Sequence, residues 1–450
     1  MAKSMTEGRP IRLMIQFAGP LLLGNLLQQA YNMIDAAIVG RVLGPEALAG
    51  VGSSSSVQFL VLGFCMGTCA GFGVPVAKYF GAGQYREMKN CVFHAMALTA
   101  AMAFLLTVAC SLLCPQILHI LSVPENIYDN AYWYLLVIFL GIPFTLLYNL
   151  LSGLLRSIGD SKTPFIFLTV SVVLNIALDL FCIIVLKWGC AGAAIATVAA
   201  QAVSGILCFF YIKRKVPLLR LAGEECRLQR RVAGKMLSMG LPMGLQFSIT
   251  AIGSMVMQAS NNGLGSIYVS GFTAGARIKQ LAMCPFDAIA TAVSVFCGQN
   301  LGAGKHDRIR QGIREGVAVG VGYGILIGLV LIFAGRSLSM IFVSRDAVEV
   351  LDASAKYLRC MGYFYWALGI LNVCRMTTQG LGFSGRAVFS GVMEMFARVI
   401  VSVGFVKQFG YTAICFADQS AWLAACIYIV PVCMICVRDA KRQIHVKQNA

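Results

Sequence analysis

Charge is scarce in this chain. Asp, Glu, Lys and Arg make up 12% of 450 residues, the acids number only 19, and there are four His and four Trp. A solvated globular domain carries about a quarter of its residues charged, so composition excludes that class. The four His (His94, His119, His306 and His445) lie far apart, with no HExxH run and no nucleophile beside a base. No enzyme is therefore expected. A loop resembling a selectivity filter is also missing, which argues against a channel. Nothing before Leu13 resembles a cleavable signal, so the first apolar run is expected to be a retained span.

What is present is hydrophobic length. Apolar residues make up 58% of the chain, in runs of roughly 20 to 25 residues, enough for a helix to cross a hydrocarbon core about 30 Å thick. Twelve such runs are predicted, at 13–38, 51–77, 91–114, 127–150, 163–186, 189–212, 237–260, 269–298, 315–335, 350–374, 387–407 and 411–437. The expected fold is an all-α integral membrane protein. The net charge of +17 would suggest nucleic acid in a soluble protein. Here most Lys and Arg fall in the even-numbered loops and the two termini, which places both termini in the cytoplasm of a multi-pass protein of the plasma (inner) membrane, without a nucleic-acid partner. Seventeen Cys are scattered through the runs, "CMGTC" at 65–69 and "CMIC" at 433–436 being the tightest groups. They read as small apolar residues.

The chain is written twice. "AGPLLLGNLLQQAYNMID" from Ala18 recurs as "GLPMGLQFSITAIGSMVM" from Gly240, and "KYFGAGQYREMKN" from Lys78 as "QNLGAGKHDRIRQ" from Gln299, at offsets of 222 and 221. Weaker matches pair Gly159 with Gly382 and Gly189 with Gly410. Two homologous six-helix lobes follow, 1–212 and 237–437. A basic cytoplasmic connector (213–236) joins them, and a tail (438–450) ends the chain. Six is even, so both lobes enter from the same side and the repeat is parallel, an arrangement used by secondary transporters. The connector could also touch anionic membrane lipid.

Polar residues inside the runs carry the functional argument. Asn25, Gln28, Asn32 and Asp35 are spaced three, four and three apart, on one face of the first helix. An acid at the bilayer centre costs roughly 2.5–3.5 kcal/mol on insertion scales, so Asp35 is expected to face a cavity. In the fifth run Asn175 and Asp179 share a face, as do Thr197 and Gln201 in the sixth. Such a set offers oxygen ligands for a dehydrated Na⁺, or two carboxylates that share a proton. The bland alternative is that each acid pairs with a neighbouring donor. In the second lobe Asp35 aligns with Val256 or Met257, and Thr197 with Asp418. Glu394 and Arg398, four apart, are expected to pair with each other. Asp287 has no basic neighbour in sequence and suits a cationic substrate. Tyr31, Met257 and Met283 offer the adaptable and aromatic surface that flat organic cations favour. Pro20 and Pro242 occupy matching positions early in helices one and seven, and Pro20 is a candidate hinge in the helix that carries Asp35.

The runs "PLLLGNLLQQAYNMIDAAIVGRVLG", "VAKYFGAGQYREMKN", "RSIGDSKTP" and "NIALDLF", in this order and with the doubled layout, resemble the multidrug and toxic compound extrusion (MATE) transporters over 13–437. The resemblance implies cofactor-free antiport by alternating access: an organic, often cationic or amphipathic compound leaves the cell as Na⁺ or H⁺ enters, one chain sufficing. It also implies a cation site at Asp35, Asn175, Asp179 and Thr197. A second branch with acids on helices seven and ten does not match, since helix seven has none and helix ten only Asp352 at its edge. The competing reading is a flippase for a lipid or lipid-linked saccharide, its phosphates held by intramembrane bases such as Arg375 and Arg398.

Overall fold

The computed structural model describes residues 3–121, 123–221, 223 and 226–448. Ala222, Glu224 and Glu225 of the expected connector and 449–450 of the expected tail lie outside the described residues. The helices are α1 (Pro10–Val42), α2 (Pro45–Gly81), α3 (Tyr85–Leu112), α4 (Cys114–Ile120), α5 (Glu125–Leu140), α6 (Ile142–Ser157), α7 (Lys162–Leu180) and α8 (Gly189–Lys215). After a connector with a short helical turn at Pro217–Leu219 among its described residues come α9 (Arg230–Asn262), α10 (Ser266–Gly302), α11 (His306–Ser339), α12 (Val348–Gly362), α13 (Tyr365–Gly380), α14 (Ser384–Val399), α15 (Val406–Phe409) and α16 (Tyr411–Gln448). No strand occurs among the described residues.

Ten of these helices are long and apolar enough to cross a membrane, and α5 with α6 forms an eleventh span bent by 48°. The bend has a local cause. Gly141 ends α5, Pro143 opens α6 without an amide hydrogen, and a side chain at Gly141 would run into Val198 of α8. The tenth expected run, 350–374, is likewise divided, between α12 and α13. The repeat extends to backbone conformation: the left-handed glycines Gly44 and Gly265, Gly83 and Gly304, Gly159 and Gly382, and Gly189 and Gly410 recur at the sequence offsets of 221 to 223. In both halves α7 and its counterpart α14 end in a π-helical turn, Phe181–Val185 and Ile400–Gly404.

The chain divides into two compact units, one built on Leu23–Gly244, the other on Met5–Leu22 with the residues from Leu245 onward. Each boundary lies inside a helix, shortly after Pro20 in α1 and Pro242 in α9. Met14, Phe17 and Ala18 of α1 thus pack with Val293, Phe296 and Cys436. In the first unit α9 begins against α2, where a Cβ on Gly71 would sit 2.6 Å from the Gly240 Cα. That unit's core is centred on Phe72, Met88, Leu118, Leu135, Phe139 and Leu154. The second unit centres on Phe286, Tyr357, Leu358, Met361, Tyr365 and Trp422. There α11 presents buried glycines every four residues from Gly312 to Gly328. A Cβ on Gly320 would lie 3.2 Å from the Gly369 carbonyl oxygen of α13, the small-residue packing that lets helices approach where lipid supplies no hydrophobic drive. Outward-facing Phe333 and Ile427 are 83% and 78% exposed, as suits side chains that meet hydrocarbon.

Candidate functional site: a buried acid pair

The first unit gathers the sequence-expected cation residues into one polar layer. Four-residue spacing puts Tyr31 and Asp35 on one face of α1 and Asn175 and Asp179 on one face of α7, while Thr197 projects from α8. Asn175 Nδ2 donates to Thr197 Oγ1 at 3.3 Å, and the Tyr31 hydroxyl lies 3.1 Å from the same oxygen. Asp179 is fully buried and Asn175 nearly so. The Asp35 and Asp179 carboxyl groups are near enough to interact directly. Yet Asp35 Oδ1, Asn175 Oδ1 and both Asp179 oxygens find no hydrogen-bond partner. Among the described residues no Lys, Arg or His forms an ion pair with either acid.

Buried polar atoms are nearly always satisfied, so four orphaned acceptor oxygens in one layer require explanation. Each lacks a donor or a positive charge. A proton shared between the carboxyls or a dehydrated Na⁺ would supply it, and the donor set of two carboxylates, a carboxamide oxygen and a hydroxyl suits a hard cation. Two residues that spacing does not single out complete the layer. Tyr134 of α5, 5% exposed, stands beside both acids with Gln58 of α2 against its hydroxyl.

The remaining candidates are dispersed. Asn25 is half-buried on α1, and Gln28 donates to the exposed Asn32 at 3.4 Å. Gln201 accepts from Thr145 of α6, a contact between helices, so it does not join Thr197 in the acid layer. Met257, 2% exposed, packs in the second core with Phe272 and Tyr357, and Met283 is half-buried on α10. Asp287 is accessible midway along α10, within electrostatic reach of Arg375.

One expected pairing is overturned. Glu394 and Arg398 share a face of α14 but do not pair with each other. Glu394 takes Arg375 of α13, whose Nε also donates to Ser390 Oγ at 2.8 Å. Arg398 Nε lies 3.0 Å from Asp418 Oδ1 of α16, and Lys279 of α10 reaches Asp418 Oδ2 at 2.7 Å. Helical spacing identifies a shared face, whereas the partner is chosen by whichever neighbouring helix brings an opposite charge. Lys279, two residues after Arg277 in the same run, gives no spacing signal that ties it to an acid. The repeat could have found it, because an offset of 221 places it on Gln58. Arg375 and Arg398, the bases on which the lipid-phosphate reading rests, are both held by carboxylates.

An all-helical fold written twice, with helices long and apolar enough to cross a membrane, defines a multi-pass membrane protein, and comparison with known proteins is specific. The MatE family model matches residues 20–181 and again 242–403. A probable multidrug resistance protein of Bacillus subtilis, YpnP, is 31% identical over 428 residues, covering 94% of this chain and 91% of that protein. An FAD transporter of Shewanella oneidensis is 24% identical, covering 80% of each chain. The structure of a multidrug resistance MATE family transporter in an outward-facing conformation superimposes with a TM-score of 0.91 at 19% identity, covering 97% of this chain and 98% of that one. The chain belongs to the MatE family, whose members are membrane transporters.

Proposed function

We propose that this protein exports organic, often cationic, amphipathic compounds in exchange for Na⁺ or H⁺ by alternating access, with Asp35, Asn175, Asp179 and Thr197 as the coupling-ion site. The observation that carries the proposal is the set of four buried acceptor oxygens, contributed by two carboxyl groups and a carboxamide, for which the described residues supply no hydrogen-bond donor. Kinship with multidrug resistance proteins supports the substrate class. A carboxylate pair cannot remain doubly ionised in a desolvated site without cost, so its charge state is the natural variable for an ion to set.

Binding of one cation removes that cost and permits α1 to repack around the acid pair. Pro20 leaves a gap in the α1 hydrogen-bond ladder close to where the helix passes from one unit to the other, and it serves as the hinge. Each positive charge crossing inward contributes about 2.3 kcal/mol per 100 mV, before any concentration gradient. Asn25, Gln28, Tyr31, Asn32, Gln201, Met257, Met283 and Asp287 are assigned to substrate contact, Asp287 as the counter-charge for a cationic group. The working unit is a single chain in the plasma (inner) membrane, with cytoplasmic termini and a basic cytoplasmic connector that links the two lobes.

The test is transport in proteoliposomes of a fluorescent organic cation, under Na⁺ and H⁺ gradients imposed separately. Wild type should move the cation under at least one gradient, and Asp35→Asn under neither. Gradient-driven transport by Asp35→Asn at the wild-type rate would refute the assignment.

A further inference from the structure

The second unit contains the same polar layer with its charges inverted, and the proposed exchange makes no use of it. Asp418, 1% exposed, is held by Lys279 Nζ at 2.7 Å, Arg398 Nε at 3.0 Å and the Tyr357 hydroxyl at 2.7 Å. At the repeat offsets of 221 to 223, these four stand where the first unit has Thr197, Gln58, Asn175 and Tyr134. The helices support the alignment: α2 and α10 are both 37 residues long, and α5 and α12 bury the matching positions Ala131 and Ser354, Tyr134 and Tyr357, Leu135 and Leu358. Asp35 aligns with Met257, Asp179 with Ser402 and Tyr31 with Gly253. A Cβ on Gly253 would lie 3.3 Å from an Arg398 guanidinium nitrogen. The missing side chain leaves the room that the guanidinium uses.

The same scaffold therefore treats a buried acid in two ways. In the first unit no Lys, Arg or His among the described residues forms an ion pair with the carboxylates. In the second, two cations are covalently part of the chain and cannot leave. Lys279 is the closer mimic of a metal ion, a compact ammonium on a flexible stem, whereas Arg398 grips through a planar fork. We infer that Lys279 and Arg398 are tethered counterparts of the coupling ion: they keep the second half in the ion-loaded electrostatic state throughout, so that the chain carries one coupling site rather than two. The contrast rests on reading the Asp35 and Asp179 layer as the coupling site, but the roles assigned belong to residues outside it.

The experiment is hydrogen exchange by mass spectrometry on the purified full chain. It follows peptides of α14 and α16 with Na⁺ titrated at fixed pH, and with pH varied without Na⁺ after correction for intrinsic exchange. The Asp35→Asn/Asp179→Asn variant removes first-half ion binding, and in it the exchange of α14 and α16 should not respond to either ion. Adding Lys279→Gln and Arg398→Asn, which copies the first-half residues, should release Asp418 to external ions. Protection there should then rise by about a hundredfold when the ion is at about a hundred times its dissociation constant. Ion-dependent protection of α14 or α16 in Asp35→Asn/Asp179→Asn would overturn the inference. This variant retains every cation of the second half, so that outcome can be read whether or not the fourfold variant folds. A folded fourfold variant that stayed ion-independent would overturn the inference as well. Wild-type α1 and α7 indifferent to both ions would instead contradict the coupling site alone.

Discussion

In the first half of the molecule Asp35 and Asp179 interact with each other and, among the described residues, with no basic side chain in an ion pair, while in the second Asp418 is gripped by Lys279, Arg398 and Tyr357. Backbone and spacing are shared, down to the paired left-handed glycines. What differs is a handful of side chains, and they decide whether a buried charge is fixed or left for a mobile ion. The fixed arrangement gives rigidity: three donors on one carboxylate leave little for an ion to change. The open arrangement stores an unmet electrostatic demand, tolerable only where meeting it does work. On the proposed reading, divergence of these positions between the two repeats separates an anchored half from a responsive one.

Neutralising the responsive half should erase this contrast most severely. Asp179→Asn, like Asp35→Asn, should abolish gradient-driven export, measured as loss of fluorescent-cation transport in proteoliposomes. Next in size is removal of a cation from the anchored half. Arg398→Leu leaves Asp418 with less compensation and should cost about 3–5 kcal/mol, the usual penalty for breaking a buried ion pair. Thermal unfolding in detergent should show a lowered midpoint, partly recovered when Asp418→Leu is added. Gly253→Tyr gives the second half the Tyr31 of the first. Its Cβ would lie 3.2 Å from Met395 Cα and 3.3 Å from Arg398, so overpacking should cost about 1–3 kcal/mol in the same assay. The smallest effect is expected from Tyr31→Phe, which removes one hydroxyl from the Thr197 cluster. A loss of about 0.5–1.5 kcal/mol corresponds to an apparent ion affinity weakened by about tenfold at most, read from transport against ion concentration, with export retained.

Much of this is legible in the chain itself. Helix positions follow from apolar run length, and the parallel repeat from constant offsets. Asp35, Asn175 and Asp179 announce themselves because carboxylates and amides in apolar runs are few, and four-residue spacing gives their shared faces. The break at Gly141 is only partly legible: Gly141 and Pro143 stand in the sequence, whereas the approach of Val198, which leaves no room for a side chain at Gly141, is tertiary. Tyr134 and Gln58 escape notice because their residue types are unremarkable in membrane helices, and only the neighbouring acids make them part of a site. The mispairing of Glu394 with Arg398 has the same origin. Sequence shows which residues share a stripe, while Arg375 and Asp418 arrive from other helices.

The central claim, that the acid pair of the first half waits for a mobile cation, is tested most directly by thermal unfolding of the purified chain against Na⁺ concentration at fixed pH and against pH without Na⁺. Wild type and Asp35→Asn/Asp179→Asn are compared side by side. Wild type should gain stability as at least one ion neutralises the pair, and the variant, already neutral there, should start higher and lack that gain. A variant whose midpoint rises with the ion as much as the wild type's would contradict the claim, because the responding charge would then lie elsewhere.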